Sequence, residues 1–149
     1  HERHIRELHA LNRPVNVLST HSMWLLGSLV LGCDGLLSGA GSVVANLQVA
    51  LFQAVQDDDL QTARIINDRI YPTVRAFYSD PLLDMHNRMK EALVLLGRLD
   101  TAYVRPPLAK LEPTEIERID SLLSEANITA STVYENPICV SEEAKAASN

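Results

Sequence analysis

Apolar positions in the first part of the chain switch back and forth between a helical period and short continuous runs. Ile5, Leu8 and Leu11 recur at helical spacing among charged residues, with no capping residue ahead of them. The stretch Asn12-Arg13-Pro14 ends that helix, and Val15-Asn16-Val17-Leu18-Ser19 reads as a short buried strand. From Ser22 the period is helical again through Trp24, Leu25, Leu29 and Val30, with Gly32 as its stop. A second apolar run, Asp34-Gly35-Leu36-Leu37-Ser38, predicts another strand, and Gly39-Ala40-Gly41-Ser42 turns it into a helix that opens near Val44. Helix, strand, helix, strand, helix with short connections is the order of parallel α/β architecture.

After about residue 45 only the helical period remains. Leu47, Ala50, Leu51 and Ala54 mark one helix, closed by Asp57-Asp58-Asp59, whose last members are good N-caps for the next. That next helix carries Leu60, Ala63, Ile66, Ile70 and Val74, and Pro72 inside it is expected to kink it. Asp80-Pro81 introduces a helix lined by Met85, Met89, Leu93 and Leu96 with Gly97 as its stop. Val104-Arg105-Pro106-Pro107-Leu108 is an extended connector, and a last helix starts at Pro113 and turns Ile116, Ile119, Leu122 and Leu123 inward. The small, polar, aperiodic residues 129–149 read as a tail. The expected organisation is therefore residues 1–58 as an α/β part, 59–128 as a helical domain, and 129–149 as a tail.

The two strands pose a physical problem. A two-stranded parallel unit leaves both sheet edges unpaired and its apolar faces half covered, whereas parallel sheets are normally buried on both sides. The remaining strands are expected in polypeptide that these residues do not encode, so the chain is expected to be a part of a larger fold.

Composition narrows the function classes. With 46% hydrophobic and 21% charged residues the chain is of the globular type. A net charge of -6 argues against a phosphate-binding surface and hence against nucleic acid. The longest strongly apolar stretch, Met23 to Cys33, falls well short of the ~20 residues that span a bilayer, so no membrane association is expected. Cys33 and Cys139 lie far apart in an apolar run and a polar tail, which suggests neither a disulfide nor a metal knuckle and points to a reducing, cytoplasmic setting.

The two strand segments with their glycine-rich exit, the helical run and Val104-Arg105-Pro106-Pro107-Leu108 together resemble, over residues 1 to 128, the C-terminal half of the dihydrodipicolinate synthase and N-acetylneuraminate lyase family. The resemblance implies a (β/α)8 TIM barrel followed by an all-helical C-terminal domain, with Val15–Ser19 as strand seven and Gly35–Ser38 as strand eight. It also implies a lysine that forms a Schiff base with a 2-oxo acid of the pyruvate type and uses the imine as an electron sink. Lys90, Lys110 and Lys145 sit on a helix, near the proline connector and in the tail, so none ends a strand and no catalytic residue is expected in this chain. The family's strand-six lysine, its Gly-x-Thr-Gly-Glu type loop and its tyrosine would all precede His1, in the absent N-terminal half. No cofactor and no metal is implied; a homo-oligomer, commonly a tetramer in the family, is.

What the resemblance leaves to this chain is the rim of the last two strands, because active sites of such barrels gather at the C-terminal strand ends. Ser19, Thr20 and His21, with Ser22, match a loop that in many members reads Ser-Gly-Asp-Asp and touches the distal part of the substrate. Leu37, Ser38 and Gly39 match the end of strand eight, where a backbone carbonyl and small residues lie against the bound oxo acid. The implied function is an aldolase or lyase acting on a 2-oxo acid, with a dehydratase of a 2-oxo-3-deoxy sugar acid as alternative in the same family. An alternative of another class is a non-catalytic helical interaction module that docks a partner through Met85, Met89 and Leu93.

Plainer readings stand beside these. His21 either orients a substrate group or caps the following helix. His1, His4 and His9 with Glu2 and Glu7 match no standard ligand spacing and read as a solvated helix face. The glycines around Ala40 lack the lysine and spacing of a phosphate loop and read as a tight turn. Met85 and Met89 suit core filling. Arg105 reads as a structural partner for a carboxylate.

Overall fold

The computed structural model describes residues 1–131. Positions 132–149, including Cys139, Lys145 and most of the expected tail, lie outside the described residues. The element order follows the apolar pattern: α1 (Glu2–His9), β1 (Leu18–Ser19), α2 (Leu25–Val30), β2 (Gly35–Leu36), α3 (Gly41–Gln56), α4 (Leu60–Phe77), α5 (Met85–Leu95) and α6 (Pro113–Glu125), with a 3-10 turn at Leu82–Asp84 before α5.

The strands pair in parallel, Leu18 opposite Gly35 and Ser19 opposite Leu36, and form a sheet of two. Each is shorter than the five-residue run that suggests it. The ladder continues one bond at either end: the Asp34 amide donates to the Val17 carbonyl at 2.9 Å and the Leu37 amide to the Ser19 carbonyl at 2.8 Å. Beyond those bonds Val15 and Asn16 have no neighbouring strand among the described residues, and regular strand structure stops where the ladder stops.

Four helices end in the same hydrogen-bonded motif, in which a left-handed residue lets its own amide and the next one turn back to orphan carbonyls. Gly32 (φ 98°) ends α2, with Gly32 N–H donating to Leu29 and Cys33 N–H to Ser28; Gly97 (φ 67°) ends α5 in the same manner. Asp58 (φ 57°) and Asn127 (φ 50°) do so after α3 and α6, side chains that tolerate this conformation better than most. Asp59 then caps α4, its carboxylate accepting from the Thr62 amide at 2.9 Å and the Thr62 hydroxyl at 2.6 Å.

One continuous core joins Leu25 and Leu29 of α2, Leu47 and Leu51 of α3, Ile66 and Ile70 of α4, Met89 of α5, and Ile119, Leu122 and Leu123 of α6. Met89 is buried, and Met85 and Leu93 pack partly buried against the same core. The stripe expected to dock a partner is thus turned inward, because α5 needs that face to reach the core. Pro72 lies inside α4, which continues through it from Leu60 to Phe77, and non-helical torsions fall at Val44 in α3 (φ -123°, ψ 37°). In α1 only Ile5 is buried, while Leu8 and Leu11 remain exposed.

The C-terminal end of α4 is tied to α5 and α6 by charge. Arg88, 2% exposed, donates to the carbonyls of Phe77, Ser79, Asp80 and Pro81 and to Glu115 Oε1 at 2.7 Å. Arg118 donates to the carbonyls of Arg75 and Ala76, to Ser79 Oγ and to both oxygens of Glu115. Hydrogen bonds from Arg118 and then Arg88 hold the Glu115 carboxyl down at about 2. Arg105 is exposed and joins none of the ion pairs among the described residues, so it lacks the carboxylate partner expected of it. Among the described residues no helix is long and apolar enough to cross a membrane.

Candidate functional site

The parallel pairing of β1 and β2 brings two loops side by side at the C-terminal strand ends, one from Ser19 to Ser22 and one from Leu37 to Gly39. Ser19 is 1% exposed, and its hydroxyl donates to Ser28 Oγ at 2.8 Å while accepting from the His21 amide at 3.2 Å. Ser28 in α2 gives its own proton to the Trp24 carbonyl at 3.0 Å. With that proton committed, the 2.9 Å contact between His1 Nε2 and Ser28 Oγ requires the ring nitrogen to donate, which fixes the proton on Nε2.

The second loop is held by hydroxyls as well. Gln48, buried on α3, donates to Ser38 Oγ at 2.9 Å, and Ser38 lies 2.8 Å from Ser22 Oγ. Ser22 also reaches the Thr20 carbonyl at 3.4 Å, so the arrangement that uses every proton has Ser38 donating to Ser22 and Ser22 to Thr20. The loops after the two strands are thereby linked by one serine pair, and α3 anchors both. Gly39 offers its carbonyl to Ser42 Oγ at 2.9 Å in the turn that opens α3.

Of the residues expected at the site, the structure brings Ser19 and Leu37 together through the backbone and seats Ser38 between the loops. Leu37 and Ser38 also line a cleft of about 400 Å3 against α3, with Gly35, Gln48, Val49 and Phe52. Its walls are mostly apolar, and Leu37 (66%) and Val49 (67%) are among the most exposed large side chains of the chain. Thr20 and His21 are exposed on the other side, where His21 sits 6.0 Å from the His1 ring and 6.4 Å from the Trp24 ring, centroid to centroid. The His21 ring stands in this aromatic group, while the hydrogen bond to Ser19 is made by its backbone amide.

Ser28, Gln48, Trp24 and His1 also belong to this constellation. Ser28 and Gln48 are polar residues inside largely apolar helices, and the helical period of the apolar positions does not single them out. His1 and Trp24 are brought in only by the fold. Elsewhere in α1, Arg6 pairs with Glu2 and Arg3 with Glu7 one turn apart, while His9 reaches across to Asp34 at 2.9 Å. The Asp34 carboxyl, which accepts from the Val17 amide at 2.6 Å and from His9, lies below the usual carboxylate value chiefly because of the amide bond. It fastens the start of β2 to β1.

The dihydrodipicolinate synthetase family model matches residues 2–126. The chain is 28% identical over 113 residues to a putative 2-dehydro-3-deoxy-D-gluconate aldolase, YagE, of Escherichia coli, covering 75% of the chain and 36% of that protein. It is 31% identical over 118 residues to 4-hydroxy-tetrahydrodipicolinate synthase of Thermomicrobium roseum, covering 78% of the chain and 37% of that enzyme. Among solved structures, YagE in complex with pyruvate superposes with a TM-score of 0.68 at 27% identity, over 76% of this chain and 37% of that one. Dihydrodipicolinate synthase of Aquifex aeolicus gives 0.72 at 22% identity, over 88% and 44%, a likeness of fold. The chain spans a little over a third of the length of the curated relatives it matches.

Proposed function

Since the chain belongs to the dihydrodipicolinate synthetase family, we propose that it forms the closing part of a (β/α)8 barrel that cleaves or joins a carbon-carbon bond next to a 2-oxo acid through a lysine imine. In this reading β1 and β2 are the seventh and eighth barrel strands, residues 59–128 are the helical extension, and polypeptide outside these residues supplies the strands that pair with the open sheet edges. The observation that carries it is the parallel pair itself. β1 and β2 pair in parallel with a helix after each, and among the described residues they form a sheet of two strands.

The nucleophile is assigned elsewhere. Lys90 is exposed on α5 and donates to the Tyr103 carbonyl, and Lys110 is exposed after the proline connector. An imine-forming lysine has to be desolvated so that its neutral form can attack, and neither position offers this. The strand ends would contribute a wall: the serine pair Ser22–Ser38 fixes the two loops, Leu37, Ser38 and Gly39 face the oxo acid, and Ser19, Thr20 and His21 lie toward the rest of the substrate. The YagE structure is a complex with pyruvate, which supports a 2-oxo acid as the class of substrate.

Borohydride reduction in the presence of pyruvate tests the reading. The chain assembled with the preceding barrel strands should gain a stable adduct at a lysine outside Lys90, Lys110 and Lys145, and the 149-residue chain alone should gain none. An adduct on any of these three lysines contradicts the assignment. Product analysis separates the chemistry: pyruvate plus an aldehyde for aldol cleavage, a dehydrated oxo acid for loss of water.

A further inference from the structure

A second cleft, of about 410 Å3, lies away from the strand ends, between α5 and the connector that follows it. Glu91 lines it and is 6% exposed, yet its Oε1 has no hydrogen-bond partner among the described residues. One helical turn earlier, Asn87 is fully buried; its Nδ2 donates to the Ala109 carbonyl at 2.8 Å, but its Oδ1 also has no partner among the described residues. Buried acceptors are nearly always satisfied, and leaving a carboxylate oxygen dry and unpaired is among the costlier defects a fold can carry. Residues four apart share one face of a helix, so both orphan acceptors call for donors from the same side.

We propose that this cleft binds a small organic cation, a primary ammonium group on an apolar stem, with its N–H groups directed at Glu91. A carboxylate offers acceptors only, so whatever completes it must bring donors, and a cation also matches its charge. An ammonium has three N–H groups, enough to serve more than one oxygen. The walls suit the stem: Val94, Val104, Pro106 and Leu108 are apolar. At the rim Tyr103, 79% exposed, presents an aromatic ring of the type that attracts cations, and Asp100 adds a second carboxylate. Lys110 also lines the cleft without bonding to Glu91 Oε1, so its ammonium is a competitor that the ligand must displace. This inference does not rest on the oxo-acid reading.

Ligand-observed NMR titration of the 149-residue chain with n-butylammonium chloride tests it, with tetramethylammonium chloride, which has no N–H group, as control. Saturable binding of n-butylammonium is expected, weakened about tenfold or more by Glu91→Gln, which removes a charged hydrogen-bond partner at constant size. Tyr103→Ala, at an exposed position that leaves the core intact, should weaken it several-fold, and Lys110→Ala should strengthen it. If Glu91→Gln loses its helical circular dichroism, these two surface variants decide. Non-saturable binding, equal affinity for tetramethylammonium, or an affinity unmoved by Tyr103→Ala and Lys110→Ala would each overturn the proposal and leave the cleft to water.

Discussion

Glu115→Gln removes the charge that links Arg88 and Arg118 while keeping the shape of the side chain. The Glu115 carboxyl, ordinarily at 4.5, is held at about 2 by hydrogen bonds from Arg118 and Arg88. A difference of that size corresponds to about 3 kcal/mol between charged and neutral forms, and glutamine mimics the neutral one. Two opposing corrections apply. The Glu115 side chain is 25% exposed, which trims the gain, whereas the Arg88 side chain is 3% exposed and would lose the one carboxylate it pairs with among the described residues. The four carbonyls around Arg88 still accept from it, so the net loss should be about 2–3 kcal/mol, or roughly 6–9 °C in melting temperature for a chain of this size. The pH dependence has a definite sign. A depressed folded-state value stabilises above about 4.5 and ceases to do so as pH falls toward about 2. Thermal unfolding of both proteins from pH 7 to pH 2.5 should therefore show a gap that is constant down to about pH 5 and then closes. A gap that persists unchanged at pH 2.5 would refute the electrostatic account of this joint.

Gly27→Ala should dislodge the indole of Trp24, because a Cβ there would stand 2.2 Å from the ring; red-shifted emission and stronger acrylamide quenching of this sole tryptophan are the readout. Ser38→Ala breaks the link between the strand-end loops and leaves the buried Gln48 amide unpaired, with an expected cost of about 1–3 kcal/mol in urea unfolding. The Cys33 thiol is pushed up by burial and then by the nearby Asp34 charge, so alkylation of native protein at pH 8 should be at least about tenfold slower at Cys33 than in urea.

Features governed by neighbouring residues were legible in the sequence. Gly32 and Gly97 as helix stops, Asp59 as a cap and Pro113 at a first turn are local chemistry, and each stands where the pattern places it. Short apolar runs bounded by turns likewise marked both strands, though not that only two residues of each would be laddered, since ladder length depends on neighbours. Burial is set by distant neighbours, so the helical spacing of Ile5 and Leu8 in α1 does not tell that Ile5 is buried while Leu8 is exposed. At the candidate site the strand-end positions came from resemblance, while Ser28 and Gln48 remained hidden. Periodicity scores apolar residues, and it passes over a polar side chain buried to hold another loop. Arg88 and Glu91 on the inward side of α5 escaped for the same reason.

Amide hydrogen exchange across residues 15–19 and 34–38, measured with and without a polypeptide carrying the family's preceding barrel strands, tests most directly whether this two-stranded sheet is part of a larger one. The account predicts a marked gain of protection in both segments, strongest at Val17 to Ser19 and Gly35 to Leu37, when that polypeptide is added. Identical exchange in the two samples, with both proteins shown to be folded, would contradict it.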